Sequence, residues 1–382
     1  MQTAQFVLRD PWSPGALDGA RTFVADLLWV FGSVELLEDA RLIRLLDEAF
    51  PGVPRAGCST AGEISDNGIG DSSVVVTAMR VDGGGLNVAA TAFNGLADSR
   101  DAGERLGRML ASPGLHNVVT FGQGVDINGS AFIDGLVSAI GPDVRVSGGL
   151  AADDGRFERT LVVSPSGALP NQVVAVGISN PRLQVGHGSF GGWSPFGPVR
   201  TITRCEGNLL FELDNEAALD IYRCYLGEYA AGLPASGLLF PFAIVGADRS
   251  EQGLVRTILG IDEATGCLKL AGDVQQGGHL QLMHAGADAL VDGACRAAEA
   301  ALAMLHHREP GLALLVSCVG RKIMMGGRTE EEVEAVADIL GQTATLAGFY
   351  SNGEISPFVP EQRCRLHNQT MTITCLRESS QS

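Results

Sequence analysis

Leu312-Ala313-Leu314-Leu315-Val316-Ser317 opens the stretch that decides the fold. The run is apolar without alternation and reads as a buried strand. Cys318-Val319-Gly320-Arg321 follows and reads as a glycine-rich turn. Over Glu330–Leu340 the apolar residues Val333, Val336, Ala337 and Leu340 fall on one helical face. A second apolar run, Ala344–Gly348, closes in Phe349-Tyr350-Ser351-Asn352-Gly353-Glu354-Ile355. The stretch is a strand–helix–strand unit with small and polar residues where each strand stops.

The same plan occurs twice more. Leu27-Leu28-Trp29-Val30-Phe31 is followed by Gly32-Ser33 and by Leu36–Phe50, with Leu42, Leu45, Leu46 and Ala49 on one face. A short strand then ends in Gly57-Cys58-Ser59-Thr60-Ala61-Gly62-Glu63-Ile64. The other copy starts at Val118-Val119-Thr120-Phe121 and carries Phe132, Ile133, Leu136, Val137 and Ile140 on its helix. It closes in Val146-Ser147-Gly148-Gly149-Leu150-Ala151-Ala152-Asp153-Asp154. Three units sharing a plan argue for duplication within one architecture; their irregular spacing excludes a solenoid.

A chain of 382 residues, 45% hydrophobic, is long enough for two or three domains and a full core. Its formal charge is −17, which opposes binding to nucleic acid or an anionic membrane. The N-terminus lacks signal-peptide character, and no apolar run is long enough to cross a bilayer. The eight cysteines form no Cys-x-x-Cys and no zinc spacing, as expected of reduced cytoplasmic thiols. The 50 glycines follow no period and are assigned to turns and close backbone approaches.

Taken in order, residues 1–22 read as an irregular lead-in broken at Pro11-Trp12-Ser13-Pro14-Gly15. Ser73–Val81 with Leu86–Phe93, and Phe157–Val163 with Gln172–Ile178, read as hairpins, so the sheets are expected to be mixed. Asp98–Leu110 reads as a helix. Gly186–Pro198, dense in glycine and proline, reads as a shaped loop at a domain boundary. Beyond it come a hairpin over Val199–Leu213, a helix over Ala217–Leu226 and a meander from Phe242 to His284. The Ala-rich helix Ala287–His306 leads into the opening stretch; Gln369–Leu376 is the last strand, and Arg377–Ser382 a polar tail.

Several of these segments, in this order, resemble the FIST family of two-domain sensory proteins. They are Gly57–Glu63, Gly148–Asp154, Gly192–Pro198, Ala218–Tyr222, Ser317–Lys322, Gly348–Ile355 and His367–Thr372. The resemblance spans about Leu27 to Glu378. It implies an N-terminal domain over 23–198 and a C-terminal domain over 199–378, each an α/β (α+β mixed) fold of sheets flanked by helices. It also implies binding of a small ligand, amino acids among the candidates, and output to a separate signalling protein, because the chain has no room for a fused kinase or cyclase. One branch of the family binds haem and senses nitric oxide.

The strand ends supply the candidate ligand-binding residues. Backbone N–H groups with the Ser59 and Thr60 hydroxyls suit a carboxylate, as does the Arg321 guanidinium. Glu63, Asp153, Asp154 and Glu354 suit an ammonium group, and Tyr350 or Trp193 an apolar wall. Cys58, Gly149 and Cys318 complete the set. Each has a bland counterpart: a turn, a helix cap, a surface ion pair, a buried thiol. Among the seven histidines, His187 in its glycine-rich surroundings is the candidate haem ligand. Cys58 or Cys318 would serve a cysteine-dependent enzyme, if a base lowered the thiol pKa. P-loop, nucleophile-elbow and His-Glu-x-x-His motifs are absent, and Gly122-Gln123-Gly124 is only a fragment of a dinucleotide fingerprint. The leading expectation is a cytoplasmic, non-catalytic small-ligand sensor without a cofactor. Its pocket is expected where the Cys58, Cys318 and Tyr350 motifs meet, near the domain interface.

Overall fold

The computed structural model describes residues 1–382 except 11, 12, 14, 234, 247–250, 358–363 and 380–382. Pro11, Trp12 and Pro14 of the expected lead-in, and the end of the polar tail, lie outside the described residues.

Three units repeat one order of strands. The first runs β1 (Gln2–Leu8), β2 (Leu27–Gly32), α1 (Val34–Glu38), α2 (Ala40–Ala49), β3 (Arg55–Ser59), β4 (Glu63–Ser65), β5 (Gly68–Gly70) and β6 (Val74–Arg80). The second runs β7 (Leu86–Ala92), α3 (Ser99–Leu110), β8 (Asn117–Gly122), α4 (Gly129–Ile140), β9 (Arg145–Leu150), β10 (Val162–Ser164), β11 (Gly167–Leu169) and β12 (Gln172–Ile178). The third opens with β13 (Leu183–Phe190). An inserted β region follows: β14 (Ser194–Glu206), β15 (Leu209–Leu213), β16 (Glu216–Ala217), α5 (Ala218–Leu226), β17 (Phe242–Val245), β18 (Glu251–Arg256), β19 (Ile258–Asp262), β20 (Cys267–Leu270) and β21 (His279–His284). The unit then resumes with α6 (Ala287–Met304), β22 (Leu312–Cys318), α7 (Val319–Met325), α8 (Glu330–Leu340), β23 (Thr345–Ser351), β24 (Gly353–Pro357), β25 (Cys364–His367) and β26 (Met371–Glu378).

The three six-stranded sheets have the same order: β1-β6-β2-β3-β10-β11, β7-β12-β8-β9-β24-β25 and β13-β26-β22-β23-β4-β5. Each unit therefore donates a short hairpin to another unit's sheet. The first donates to the third, the second to the first, and the third to the second. Within each unit one strand pair is parallel (β2/β3, β8/β9, β22/β23) and the other pairings are antiparallel.

Alternation along these strands feeds two cores at once. Leu27, Trp29 and Phe31 of β2 point into a central core shared by all three sheets, together with Phe121, Leu314, Val316 and Phe349. Leu28 and Val30 point outward under α1 and α2, and Ala313 and Leu315 of β22 do the same under α6 and α8. Burial on both faces is why these runs lack polar alternation. At the centre Phe31 stacks on Phe349 at 4.9 Å between ring centroids, and both meet Phe121 edge-on.

One glycine recurs at the same register of each parallel pair. Gly57 lies opposite Val30, Gly148 opposite Thr120, and Gly348 opposite Leu315. A Cβ on any of them would sit 1.8–1.9 Å from the partner strand's carbonyl oxygen. The expected result for Gly348→Ala is a loss of about 1–3 kcal/mol, as for other overpacked cores, read as a lower urea midpoint. A loss below ~0.5 kcal/mol would show that the strands separate freely at this point.

Five local expectations are corrected. The lead-in contains a strand, β1, paired along its length with β6. β6 and β7 are not a hairpin: β6 is flanked by β1 and β2, so no edge remains and β7 joins the next sheet. For the same reason β12, flanked by β7 and β8, does not pair with β10, which lies on β3 instead. Gly186–Phe190 is strand, not loop. Cβ atoms at Gly186 and Gly188 would lie 2.2 and 1.8 Å from the Ala301 and Ala297 carbonyl oxygens of α6. Those glycines let a helix pack onto the sheet. The turn after Cys318 is the first part of helix α7.

The insertion forms its own sheet, β18-β17-β21-β14-β15-β20-β19, with β16 beside β15. Its core gathers around Leu219 and Tyr222 of α5. Among the described residues no helix is long and apolar enough to cross a membrane.

Candidate functional site

The three strand ends close into a ring. The Ala61 N–H donates to the Tyr350 carbonyl (2.9 Å), the Ala152 N–H to Ser59 (2.8 Å), and the Asn352 N–H to Leu150 (3.2 Å). Ser59 reinforces one joint, its hydroxyl donating to the Ala152 carbonyl and accepting from the Leu161 N–H. The Gly57, Gly148 and Gly348 motifs thus meet at one edge of the packed sheets.

Two of the predicted carboxylates act alike. Glu63 accepts from the Thr60 hydroxyl (2.5 Å) and from the N–H and hydroxyl of Ser73 (3.2 and 2.6 Å). Glu354 accepts from the Ser351 hydroxyl (2.7 Å) and from the N–H and hydroxyl of Thr370 (3.1 and 3.0 Å). Each ties its donated hairpin to the start of its own unit's returning strand, β6 or β26. Burial pushes both up to about 7, against the pull of those hydrogen bonds. Register shows that the second unit lacks this device. Glu63 lies opposite Phe349 and Glu354 opposite Gly149, whereas Val162 lies opposite Cys58. Asp153 instead accepts the N–H groups of Phe157, Glu158 and Arg159, organising the loop ahead of β10.

Arg321 is wholly buried. Its Nε and Nη2 donate to Glu332 (3.1 and 2.6 Å), and its remaining bonds go to the Gly191 and Leu290 carbonyls. The other oxygen of Glu332 accepts from Ser317 (2.9 Å) and Tyr350 (2.7 Å). The Trp193 indole donates to the Gln369 carbonyl. Gly149 faces the central core, where a Cβ would meet Val316 at 2.7 Å. These predicted residues are brought together, but their polar groups are engaged within the protein.

What remains open at the ring is a recess of about 270 Å³, lined by Ala61, Asp154, Val319, Lys322, Ile323, Gly326 and Thr329. Lys322 reaches over the ring, donating to the Ala61 carbonyl (2.7 Å) and to Asp71 (2.5 Å), 5.6 Å from the Tyr350 ring centroid. Gly62 makes room for it, since a Cβ there would lie 2.7 Å from the Lys322 ammonium. Asp154 is exposed at the rim, in the left-handed region at φ 59°. Lys322, beside Arg321, and Asp71 carry no local sequence signal that marks them as site residues. Glu332 does carry one, as a glutamate spaced i, i+4 with Val336 on an apolar helix face.

The alternatives meet local chemistry that opposes them. Cys58 and Cys318 are buried, and desolvation raises both thiols, so neither is an activated nucleophile. His187 sits in β13 beneath α6, with Nε2 3.0 Å from the Asn117 side-chain oxygen. Burial lowers it to about 3. Its Nδ1 has no hydrogen-bond partner among the described residues, but the ring is buried on the face of β13 opposite α6, against Asn117 of β8, and iron could reach it only if the packed sheets parted. The residues present therefore do not fit haem in this conformation. Among the described residues no three His, Cys, Asp or Glu side chains group as a metal site.

Comparison with known proteins agrees with the domain order. The FIST N domain matches residues 26–216 and the FIST C domain matches 218–357. Uncharacterized protein Mb0898c of Mycobacterium bovis is 28% identical over 254 residues, 65% of this chain and 61% of that protein. Uncharacterized protein Rv0628c of Mycobacterium tuberculosis is 28% identical over 238 residues, 61% of this chain and 57% of that protein. The chain thus spans about three fifths of the length of the curated relatives it matches. Among solved structures, a cyanuric acid hydrolase from A. caulinodans covers 98% of this chain and 99% of its own, at 10% identity and a TM-score of 0.39. Similarity at that level says nothing about ligand or reaction. With both domains matched in order along a chain of mixed sheets flanked by helices, the protein belongs to the FIST family, whose domains are associated with sensory signal transduction and small-ligand binding.

Proposed function

We propose that this chain is a cytoplasmic sensor that binds an amino acid or a similar small zwitterion in the recess over the strand-end ring, and signals to a separate protein. The observation that carries this reading is the meeting of three strand ends beneath one cation and two carboxylates. Lys322 holds the ligand carboxylate, exchanging its bond to Asp71. Asp154 and the released Asp71 receive the ammonium group. Val319 and the half-exposed Ile323 form the apolar wall. A site of this size favours small ligands over the drug-sized molecules that fill larger pockets.

Binding here would act on α7, which carries Val319, Lys322 and Ile323, and through Arg321 on α8 and the β13–β14 junction at Gly191. A thermal-shift screen of the full chain against amino acids tests the proposal. A ligand at a hundred times its dissociation constant stabilises the fold by about 2.7 kcal/mol. Lys322→Ala and Asp154→Ala are expected to abolish that shift while leaving the unliganded melting temperature within a few degrees. A shift that survives both substitutions places binding elsewhere.

A further inference from the structure

A second cavity, of about 390 Å³, lies between the inserted sheet and the donated strand β25. Its lining includes Arg256, Arg365, His279, Ile244, Leu254 and Asp273. Arg256, at the end of β18, is only 5% exposed, yet it has no carboxylate partner among the described residues. Its bonds run to carbonyl oxygens alone: Nε to Asp273 (3.2 Å), Nη1 to Val255 (3.1 Å) and Leu366 (3.4 Å). Nη2 donates no hydrogen bond among the described residues. The contrast with Arg321, also buried but matched by Glu332, is direct. A buried guanidinium without a counter-charge is costly unless something else supplies one.

The surroundings concentrate positive charge in a protein of net charge −17. Arg365, on β25, is exposed and makes no ion pair among the described residues; burial lowers Arg256, and Arg365 adds to that lowering while Asp273 opposes it. His279 also lines the cavity. Asp273, an acidic residue of the lining, is exposed, with the Asn128 amide 3.5 Å from its Oδ2. Gly272 supports the arrangement: a Cβ there would lie 2.8 Å from Arg256 Nε. Apolar contacts come from Ile244 and Leu254.

We propose that this cavity binds a small organic oxyanion, its charged group held by Arg256 and Arg365 and its apolar part against Ile244 and Leu254. Carboxylate and phosphate share the chemistry that two guanidinium groups recognise. The site is separate from the recess over the strand-end ring and does not depend on that reading. The test is calorimetric titration of the full chain with phenyl phosphate and with benzoate, at constant ionic strength in chloride. At least one probe should bind saturably, and the tighter of the two identifies the oxyanion. Arg365→Glu, at an exposed position, should weaken that binding at least tenfold, and Lys322→Ala should leave it unchanged. Arg256→Lys keeps a cation but loses the fork geometry, and should weaken it as well. Absence of saturable binding by both probes overturns the proposal, as does binding that Arg365→Glu leaves intact.

Discussion

Glu332→Ala is expected to lower stability by about 3–5 kcal/mol, the usual cost of leaving one member of a buried ion pair without its partner. Both side chains of the Arg321–Glu332 pair are fully buried. Glu332 also accepts from Ser317 and Tyr350, so the substitution orphans two hydroxyls as well as a guanidinium. The network joins α7, α8, β22, β23 and, through the Gly191 carbonyl, the β13–β14 junction. Its loss should therefore be felt across the third unit. Urea denaturation followed by circular dichroism reads the effect. Replacing Arg321 by Met in the Glu332→Gln background should recover part of the loss, because the uncompensated charge is gone. A cost below 1 kcal/mol for Glu332→Ala would show that water or a side-chain rearrangement satisfies Arg321.

The second large effect is a pH dependence carried by Glu63 and Glu354. Both carboxyls are raised from 4.5 to about 7 in the folded chain. The native state therefore holds a proton that the unfolded chain gives up above pH 4.5. The resulting stabilisation is fully present below pH 4.5 and is lost as pH rises through about 7. Its size is about 3 kcal/mol for either site, at 1.36 kcal/mol per pKa unit. Two buried histidines act in the opposite sense. His187 and His367 are lowered from 6.5 to about 3 and about 4, so their contribution is lost as pH falls below 6.5. The histidine effect cancels when variants are compared. The stability of wild type relative to the Glu63→Gln, Glu354→Gln double variant should therefore decline from pH 5 to about pH 7 and level off by pH 8. Glutamine can bond to the same hydroxyls, so the variant should fold. A difference that stays flat over this range would show that both carboxylates are ionised in the native protein throughout.

The sensing reading and the fold place different demands on the same motifs. In the sequence, Glu63 and Glu354 suit ammonium receptors because they end matching segments. They do recur for a common reason, but it is the same tie between a donated hairpin and a returning strand. Asp154 appears as their counterpart when the three motifs are aligned by sequence. Register puts Val162 there, because eight residues organised by Asp153 intervene before β10. Only Asp154, displaced from that structural role, stays at the rim of the recess. The cation at the recess is Lys322, the neighbour of Arg321, because α7 turns Arg321 inward and leaves Lys322 over the ring, paired with Asp71.

What the residues determined by themselves is the repeat. Three apolar runs, three amphipathic helices and three Gly-rich endings are local patterns, and each emerges in its expected place, except that the helix expected over Leu36–Phe50 is broken at Asp39 into α1 and α2. The glycines at 57, 148 and 348 carried the duplication because each parallel pair has room for no Cβ at that register. Strand partnership was a tertiary decision. A Gly-rich turn such as Asp82–Gly85 tells the chain to reverse, but whether the next strand pairs back depends on which edges are already occupied. β1 and β2 occupy both edges of β6, so β7 crosses to another sheet. The glycines at 186 and 188 look like loop until the carbonyls of α6 are known to lie against them. Arg256 and Arg365 lie more than a hundred residues apart with no shared motif, and only the docking of the insertion against β25 places both at one cavity. Periodicity and turn chemistry act over a few residues and can be read in a line. Edge occupancy, close approach and the pooling of charge act across sheets, and exist only once the chain has folded.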